Sequence, residues 1–271
     1  MNTTMAFTYK HILMVGATSG IGHAMAERLI EAGYKVTVVG RRKERLDEFV
    51  AKYGEEKVSA IPFDIGETDK APQFAKDVMT AHPTIDCIFL NAGVQNSHDF
   101  SRPETVNLQA FNNEMHINYT SFVALTHAFL PYLLEKKDLD TSFVFTTSNL
   151  AIVPLPGLES YCASKAALNV FLLCLRDNLG KTNIKVIELS PPPVQTELHD
   201  YLTPAKGRQI GMPLATFTTQ AYEALHSGSD TVIIGAIGDE QDFDEIVARR
   251  RRQFDGFAEF VRGRMMGMGI E

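Results

Sequence analysis

The 271-residue chain is 45% hydrophobic and 22% charged, with a formal net charge of −7. That length and apolar content suit one large core, and the acidic balance argues against a nucleic-acid partner, whose phosphates most of this surface would repel. Cys87, Cys162 and Cys174 lack metal-type or redox spacing, and the opening MNTTMAFTYKH has neither a basic nor an apolar leader segment; free buried thiols, no membrane partner and a cytoplasmic location are expected.

Short apolar runs alternate with helix-patterned stretches. HILMV at 11–15 predicts a strand and IGHAMAERLIEAG at 21–33 a helix; KVTVV (35–39), RKERLDEFVAKYG (42–54) and VSAIPF (58–63) continue as strand, helix, strand. A helix over 68–81, a strand at 86–90, a long helix over 107–135, a strand at 142–148, a helix over 157–180 and strands at 184–189 and 231–235 complete the pattern. Near-continuous apolar strands separated by helices predict a single α/β domain over 1–271. Its core is a doubly wound parallel sheet of about seven strands in a three-layer α/β/α sandwich. The stretch 194–229 is rich in Pro, Thr and Gly and short of strands, so it is expected to be a substrate loop or lid. Residues 239–271 form a charged helical tail, in which Arg249 to Arg252, flanked by acidic stretches, read as a solvated face.

Ligands of such sheets bind beyond the carboxyl ends of the strands. After the first strand stands GATSGIG, in which Gly16, Thr18, Ser19, Gly20, Ile21 and Gly22 form a tight turn into a helix. Its glycines allow close backbone approach, and the helix start aims N–H groups and a positive dipole end at a pyrophosphate. The second strand ends in Gly40, Arg41 and Arg42 rather than the Asp or Glu that would grip ribose hydroxyls, and guanidinium forks favour a phosphate, hence NADP(H) over NAD(H). Asp64, followed by Ile65, is either an acceptor for the adenine amino group or the N-cap of a turn. Asn91, Ala92 and Gly93 end the fourth strand with small residues past which a ribose can run.

Further on come Asn118 in HINYTS, Ser148 in FTTSNLA, and Tyr161 and Lys165 in YCASKAAL. At i and i+4 the last two side chains share a helix face. Tyr161 can be an acid/base whose pKa a nearby ammonium lowers, although a Tyr packed under a Lys stem has the same spacing. Ser148 reads as a substrate-oxygen donor or a strand-end cap, and Asn118 taken alone also reads as a helix Asn bonded to a local carbonyl.

In order and distance, VGATSGIG, LNAG, HINYTS, FTTSNLA and YCASKAAL resemble the short-chain dehydrogenase/reductase family over about residues 10–196. The resemblance implies a Rossmann-type fold and a hydride exchanged between NADP(H) and a small-molecule carbonyl or alcohol. It also implies Tyr161 as general acid/base, Lys165 as its tuner and a ribose ligand, Ser148 on the substrate oxygen and Asn118 in a water-mediated proton relay. Pro191, Val194 and Thr196 are implied to be cofactor-binding, the last two matching positions that hold the nicotinamide carboxamide. No metal is needed for hydride transfer with a tyrosine acid.

Two departures stand out. Pro192 replaces the family's glycine in SPPPVQTEL, stiffening the nicotinamide loop, and this context is similar to the branch named after the bacterial DltE oxidoreductases. The chain also runs well past its last strand, so a homodimer through helices 107–135 and 157–180 is expected rather than a tetramer. Leu150, Val153, Leu155, Leu158 and Leu198 are available to line a fairly apolar pocket. Reduction of an imine or polarised C=C by the same residues is the alternative enzyme reading, and a non-catalytic NADP(H)-sensing protein is the alternative of a different class.

Overall fold

The computed structural model describes residues 7–267, with side chains through residue 264; both ends of the expected 1–271 domain, and residues 268–271 of the expected tail, lie outside the described residues. Seven strands, β1 (His11–Val15), β2 (Lys35–Gly40), β3 (Val58–Pro62), β4 (Cys87–Leu90), β5 (Thr141–Thr146), β6 (Ile184–Ser190) and β7 (Thr231–Ile233), form one sheet. They run parallel in the order β3-β2-β1-β4-β5-β6-β7. The chain winds outward through β2 and β3, then returns to start the other half at β4. That reversal makes the β1/β4 boundary the switch point where such sheets open a crevice.

Nine α-helices are described: α1 (Gly20–Glu31), α2 (Lys43–Tyr53), α3 (Ala71–Ala81), α4 (Leu108–Met115), α5 (Ser121–Leu134), α6 (Glu159–Leu179), α7 (Pro204–Gly207), α8 (Leu214–Leu225) and α9 (Glu240–Gly267). β1, β4 and β5 are buried at every residue, as expected when helices cover both faces. One face packs on Phe74 and Val78 of α3, Phe122 and Phe129 of α5, and Leu168 and Leu172 of α6. The other packs on Met25 and Leu29 of α1, Leu46 and Phe49 of α2, and Phe217 and Leu225 of α8.

The structure differs from the sequence reading at four places. The helix expected over 107–135 is two helices joined by a wide π turn, His116–Thr120, in which the Ser121 N–H reaches back to the His116 carbonyl. Within the expected lid, residues 214–225 are a core helix. Phe217, Ala221 and Leu225 form an i, i+4, i+8 stripe buried against the sheet, and a fully buried Phe is worth roughly 1.5–3 kcal/mol; the threonines on its other faces masked that stripe. Arg249 to Arg252 are not simply a solvated face: Arg250 donates to Asn169 of α6, and Arg251 bonds both Asp230 and Asp255. Cys174 is exposed on the outer side of α6, while Cys87 and Cys162 are buried. Among the described residues no helix is long and apolar enough to cross a membrane.

Candidate active site

The carboxyl ends of six strands open onto one cleft of about 870 Å³. At its floor the turn after β1 leads straight into α1. A Cβ on Gly16 (φ +89°) would stand 2.5 Å from the Ala92 nitrogen, and one on Gly22 2.2 Å from the Gly16 carbonyl oxygen. Only bare backbone fits there, and it packs the turn against the end of β4. Ser19 precedes α1 without capping it, so the first N–H groups of the helix face the cleft with their partial positive charge.

Beyond β2, Arg42 donates from Nε and Nη2 to Thr18 Oγ1 (3.1 and 3.0 Å), from Nη2 to Ser19 Oγ (2.6 Å) and from Nη1 to Glu197 Oε2 (2.7 Å). Arg41 is more exposed, its Nη1 3.8 Å from Asp64 Oδ2. Asp64 Oδ1 accepts from the Gly66 N–H at 2.9 Å, the turn-capping bond that was one of its two readings; Asp64 and Ile65 both line the cleft. Asn91 directly follows β4, donating to the Gly16 carbonyl at 3.5 Å and accepting from Thr146 Oγ1 at 2.9 Å. Ala92 and Gly93 follow along the wall.

The π turn delivers Asn118, fully buried, to the loop after β4. Its Oδ1 accepts from the Val94 N–H and its Nδ2 donates to the Val94 carbonyl, both at 2.9 Å, and also to Ser164 Oγ at 3.1 Å. Ser148 lies just past β5, where its Oγ accepts from the Leu150 N–H at 3.1 Å. Tyr161 and Lys165, on α6, are 5% and 2% exposed. Burial raises the Tyr161 pKa above the usual phenol range, with the neighbouring Ser148 hydroxyl pulling the other way, so the phenol is protonated at neutral pH. Burial lowers the Lys165 pKa to about 8, opposed by the Glu114 carboxylate. Lys165 Nζ donates to the Thr146 carbonyl at 2.9 Å and stands 5.8 Å from the Tyr161 ring centroid.

Pro191, Pro192, Pro193, Val194 and Thr196 line the same cleft. The missing proline N–H groups leave carbonyls in use: Pro191 O accepts from Asn149 N at 2.9 Å and Pro193 O from Met212 N at 2.8 Å. The sequence-predicted site residues from Gly16 to Thr196 therefore meet around one cavity, except Gly22, whose place is behind the turn, and Asn118, which lies behind the wall, bonded to Val94 and Ser164. Of the apolar pocket residues, Leu150, Leu155, Leu158 and Leu198 line it and Val153 does not. The pieces present suit an extended dinucleotide: a glycine turn, a free helix start, arginines at one end and a Tyr–Lys pair at the other.

The sequence reading missed several residues here. Gln95 and His199 are buried lining residues, joined Oε1 to Nδ1 at 2.9 Å. Glu197 faces Arg42 and Arg45 from the far wall. Behind Tyr161, the fully buried Glu114 takes hydrogen bonds from Ser160 Oγ and from the Asn96 backbone and amide, with His98 Nε2 3.6 Å away. Glu114 and Asn118 are i, i+4, as are Ser160 and Ser164, so the two helices meet through two matching polar rungs. A Glu amid an otherwise amphipathic helix was the signal available for that cluster; for Glu197 there was none, because its partner is 155 residues away.

A doubly wound sheet with these groups gathered at its switch point defines a dinucleotide-type oxidoreductase scaffold. The chain belongs to the short-chain dehydrogenase/reductase family: the family model described as short chain dehydrogenase matches residues 10–207. It is similar to the uncharacterized oxidoreductase DltE of Bacillus subtilis (strain 168), with 34% identity over 195 residues, 72% of this chain and 75% of that protein. A short-chain dehydrogenase from Streptomyces avermitilis superposes with a TM-score of 0.74 at 25% identity, covering 94% of this chain and 98% of that one. The closed form of serine dehydrogenase complexed with NADP+ also gives 0.74, at 22% identity, covering 83% and 94%.

Proposed function

We propose that the protein is an NADP(H)-dependent oxidoreductase that reduces a carbonyl of a fairly apolar small molecule to an alcohol, or runs the reverse reaction. The observation that carries this reading is the single cleft lined continuously from Arg41 and Arg42 to Ser148, Tyr161 and Lys165. When bound, the nicotinamide supplies or accepts the hydride. Tyr161, kept protonated by burial, gives its proton to the developing alkoxide and takes it back in oxidation. The Ser148 hydroxyl donates to the same oxygen and orients it. Lys165 places a positive charge that favours the phenolate and offers donors to a ribose, while Asn118 fixes the Val94 loop and anchors a relay water.

The phosphate preference rests on the end of β2, where Gly40 stands in place of a carboxylate and two guanidinium groups follow. The substrate class rests on Leu150, Leu155, Leu158 and Leu198. Among the described lining residues the cations are Arg41, Arg42 and Lys165, which leaves no guanidinium at the Tyr161 end to receive a substrate carboxylate. Leu134 of α5 and Val170 of α6 are exposed, and homodimerisation through these helices accompanies the reading.

The test is oxidation of NADPH, against NADH, over aldehydes, ketones, quinones and cyclic imines, with Tyr161→Phe in parallel. Turnover with NADPH that falls about a thousandfold in the variant, with cofactor affinity intact, is expected. Turnover unchanged in Tyr161→Phe refutes the assignment of the proton.

A further inference from the structure

The segment after Val194 crosses the cleft as a strap fastened on both sides. On one wall His199 is bonded to Gln95 of the β4 loop at 2.9 Å. On the other, Glu197 reaches the helix that follows β2, accepting from Arg42 Nη1 through Oε2 at 2.7 Å and from Arg45 Nη1 through Oε1 at 2.8 Å. Between these points Thr196 sits on the start of α1, its Cβ 3.2 Å from where a Cβ on Gly20 would lie. The remaining donors of Arg42 are directed at Thr18 and Ser19, and Arg45 Nη1 also bonds the Thr18 carbonyl at 2.9 Å. Arg208, on the strap, adds a longer contact to Glu197 Oε1 at 4.0 Å and pairs with Asp200 at 3.0 Å.

We infer that Glu197 is a cofactor-specificity residue: its carboxylate and a ribose 2′-phosphate compete for the same guanidinium donors of Arg42, so that binding of the phosphate loosens the strap over the substrate end of the cleft. This rests on the NADP(H) reading above and extends it. Carboxylate and phosphate can each offer two oxygens to the planar fork of Arg, and two anions on one guanidinium repel each other at a partly buried site. The pairing is tight: burial alone would raise the Glu197 pKa, but hydrogen bonds from Arg42 and Arg45 bring it down to about 2. A phosphate dianion must therefore displace a charged carboxylate throughout the physiological range. The freed Glu197 is adjacent to Leu198, which lines the substrate end, so the adenosine end of the cleft and the substrate end are linked through two consecutive residues.

The experiment measures calorimetric binding of adenosine 2′,5′-bisphosphate and of adenosine 5′-monophosphate to the wild-type protein and to Glu197→Gln, with hydrogen exchange of residues 197–210 followed in the wild type. Expected is a gain of about tenfold in affinity of the variant for the bisphosphate, with the monophosphate unchanged, and faster exchange of 197–210 when the bisphosphate, not the monophosphate, is bound. If the wild type prefers the bisphosphate but the variant binds it no more tightly, or the strap exchanges no faster, Glu197 is not a competitor and the inference falls while the NADP(H) reading stands. If neither protein distinguishes the two nucleotides, Arg42 is not a phosphate ligand and both fall. Melting temperatures of the two proteins confirm that the comparison is between folded chains.

Discussion

Lys165 directs its ammonium at the backbone carbonyl of Thr146, 2.9 Å away at the last residue of β5, and is almost wholly enclosed there. A carbonyl offsets the cost of burying a charge only in part, and the rest appears as the lowered pKa of about 8. Below that pH the group is charged in the folded protein. In the unfolded chain it titrates near 10.5, so folding carries a penalty that is complete below about pH 8 and fades as pH rises toward 10.5. Lys165→Met should therefore stabilise the protein at pH 7 by about 1–3 kcal/mol while lowering turnover by at least about a hundredfold. Thermal melts at pH 7 and at pH 10.5 check this, the stability difference shrinking at the higher pH. In the wild type, turnover should decline as pH passes about 8.

Asn118→Ala removes three hydrogen bonds from a buried position and leaves the Val94 N–H without its acceptor. The expected loss is about 2–4 kcal/mol of stability, read from urea midpoints. Asn118→Asp keeps the Val94 N–H acceptor but faces a carboxylate to the Val94 carbonyl, and should recover little.

Glu114 is as enclosed as Asn118 and serves Ser160 and Asn96 at once. Glu114→Ala should cost about 3–5 kcal/mol, since it orphans those donors as well as opening a cavity. Glu114→Gln, which keeps the shape and loses the charge, should retain most of the stability yet move the alkaline limb of turnover to lower pH, because the carboxylate is what opposes the burial-driven fall of the Lys165 pKa. An unmoved pH profile in Glu114→Gln would show that this carboxylate acts on packing alone.

Pro192 lies beside Gly235, where an added Cβ would meet Pro192 Cγ at 3.6 Å. Restoring the family glycine with Pro192→Gly should destabilise the fold by about 0.5–1 kcal/mol through the added freedom of the unfolded chain. Because Pro191 and Pro193 keep their carbonyl bonds, the loop should hold its path, and the change should appear in denaturant midpoint more than in turnover.

The sheet was legible in the sequence because a parallel strand covered on both faces needs an unbroken apolar run, and HILMV or CIFL can be little else. Among the catalytic candidates Ser148 was legible at the end of a strand, and Asn118, Tyr161 and Lys165 were legible from motifs on helical segments at a family spacing. Less visible were features decided by partners far along the chain. Phe217, Ala221 and Leu225 made a readable stripe, but the threonines between them and the prolines before them disguised α8 as loop. Glu197, Gln95 and His199 are ordinary polar residues until folding brings Arg42 and the β4 loop beside them.

The wide turn at 116–120 holds one more residue than an α-helical path requires. Each residue of a helix advances the side chains by about 100°, so that surplus sets the phase of everything downstream. With it, Asn118 faces Val94 while Phe122, Leu125 and Phe129 face the sheet. Deleting a single residue from this turn would yield a more regular helix with better local hydrogen bonds. Its apolar stripe would then point more than a quarter-turn away from the strands it covers, so a regular helix here and a buried stripe downstream exclude each other.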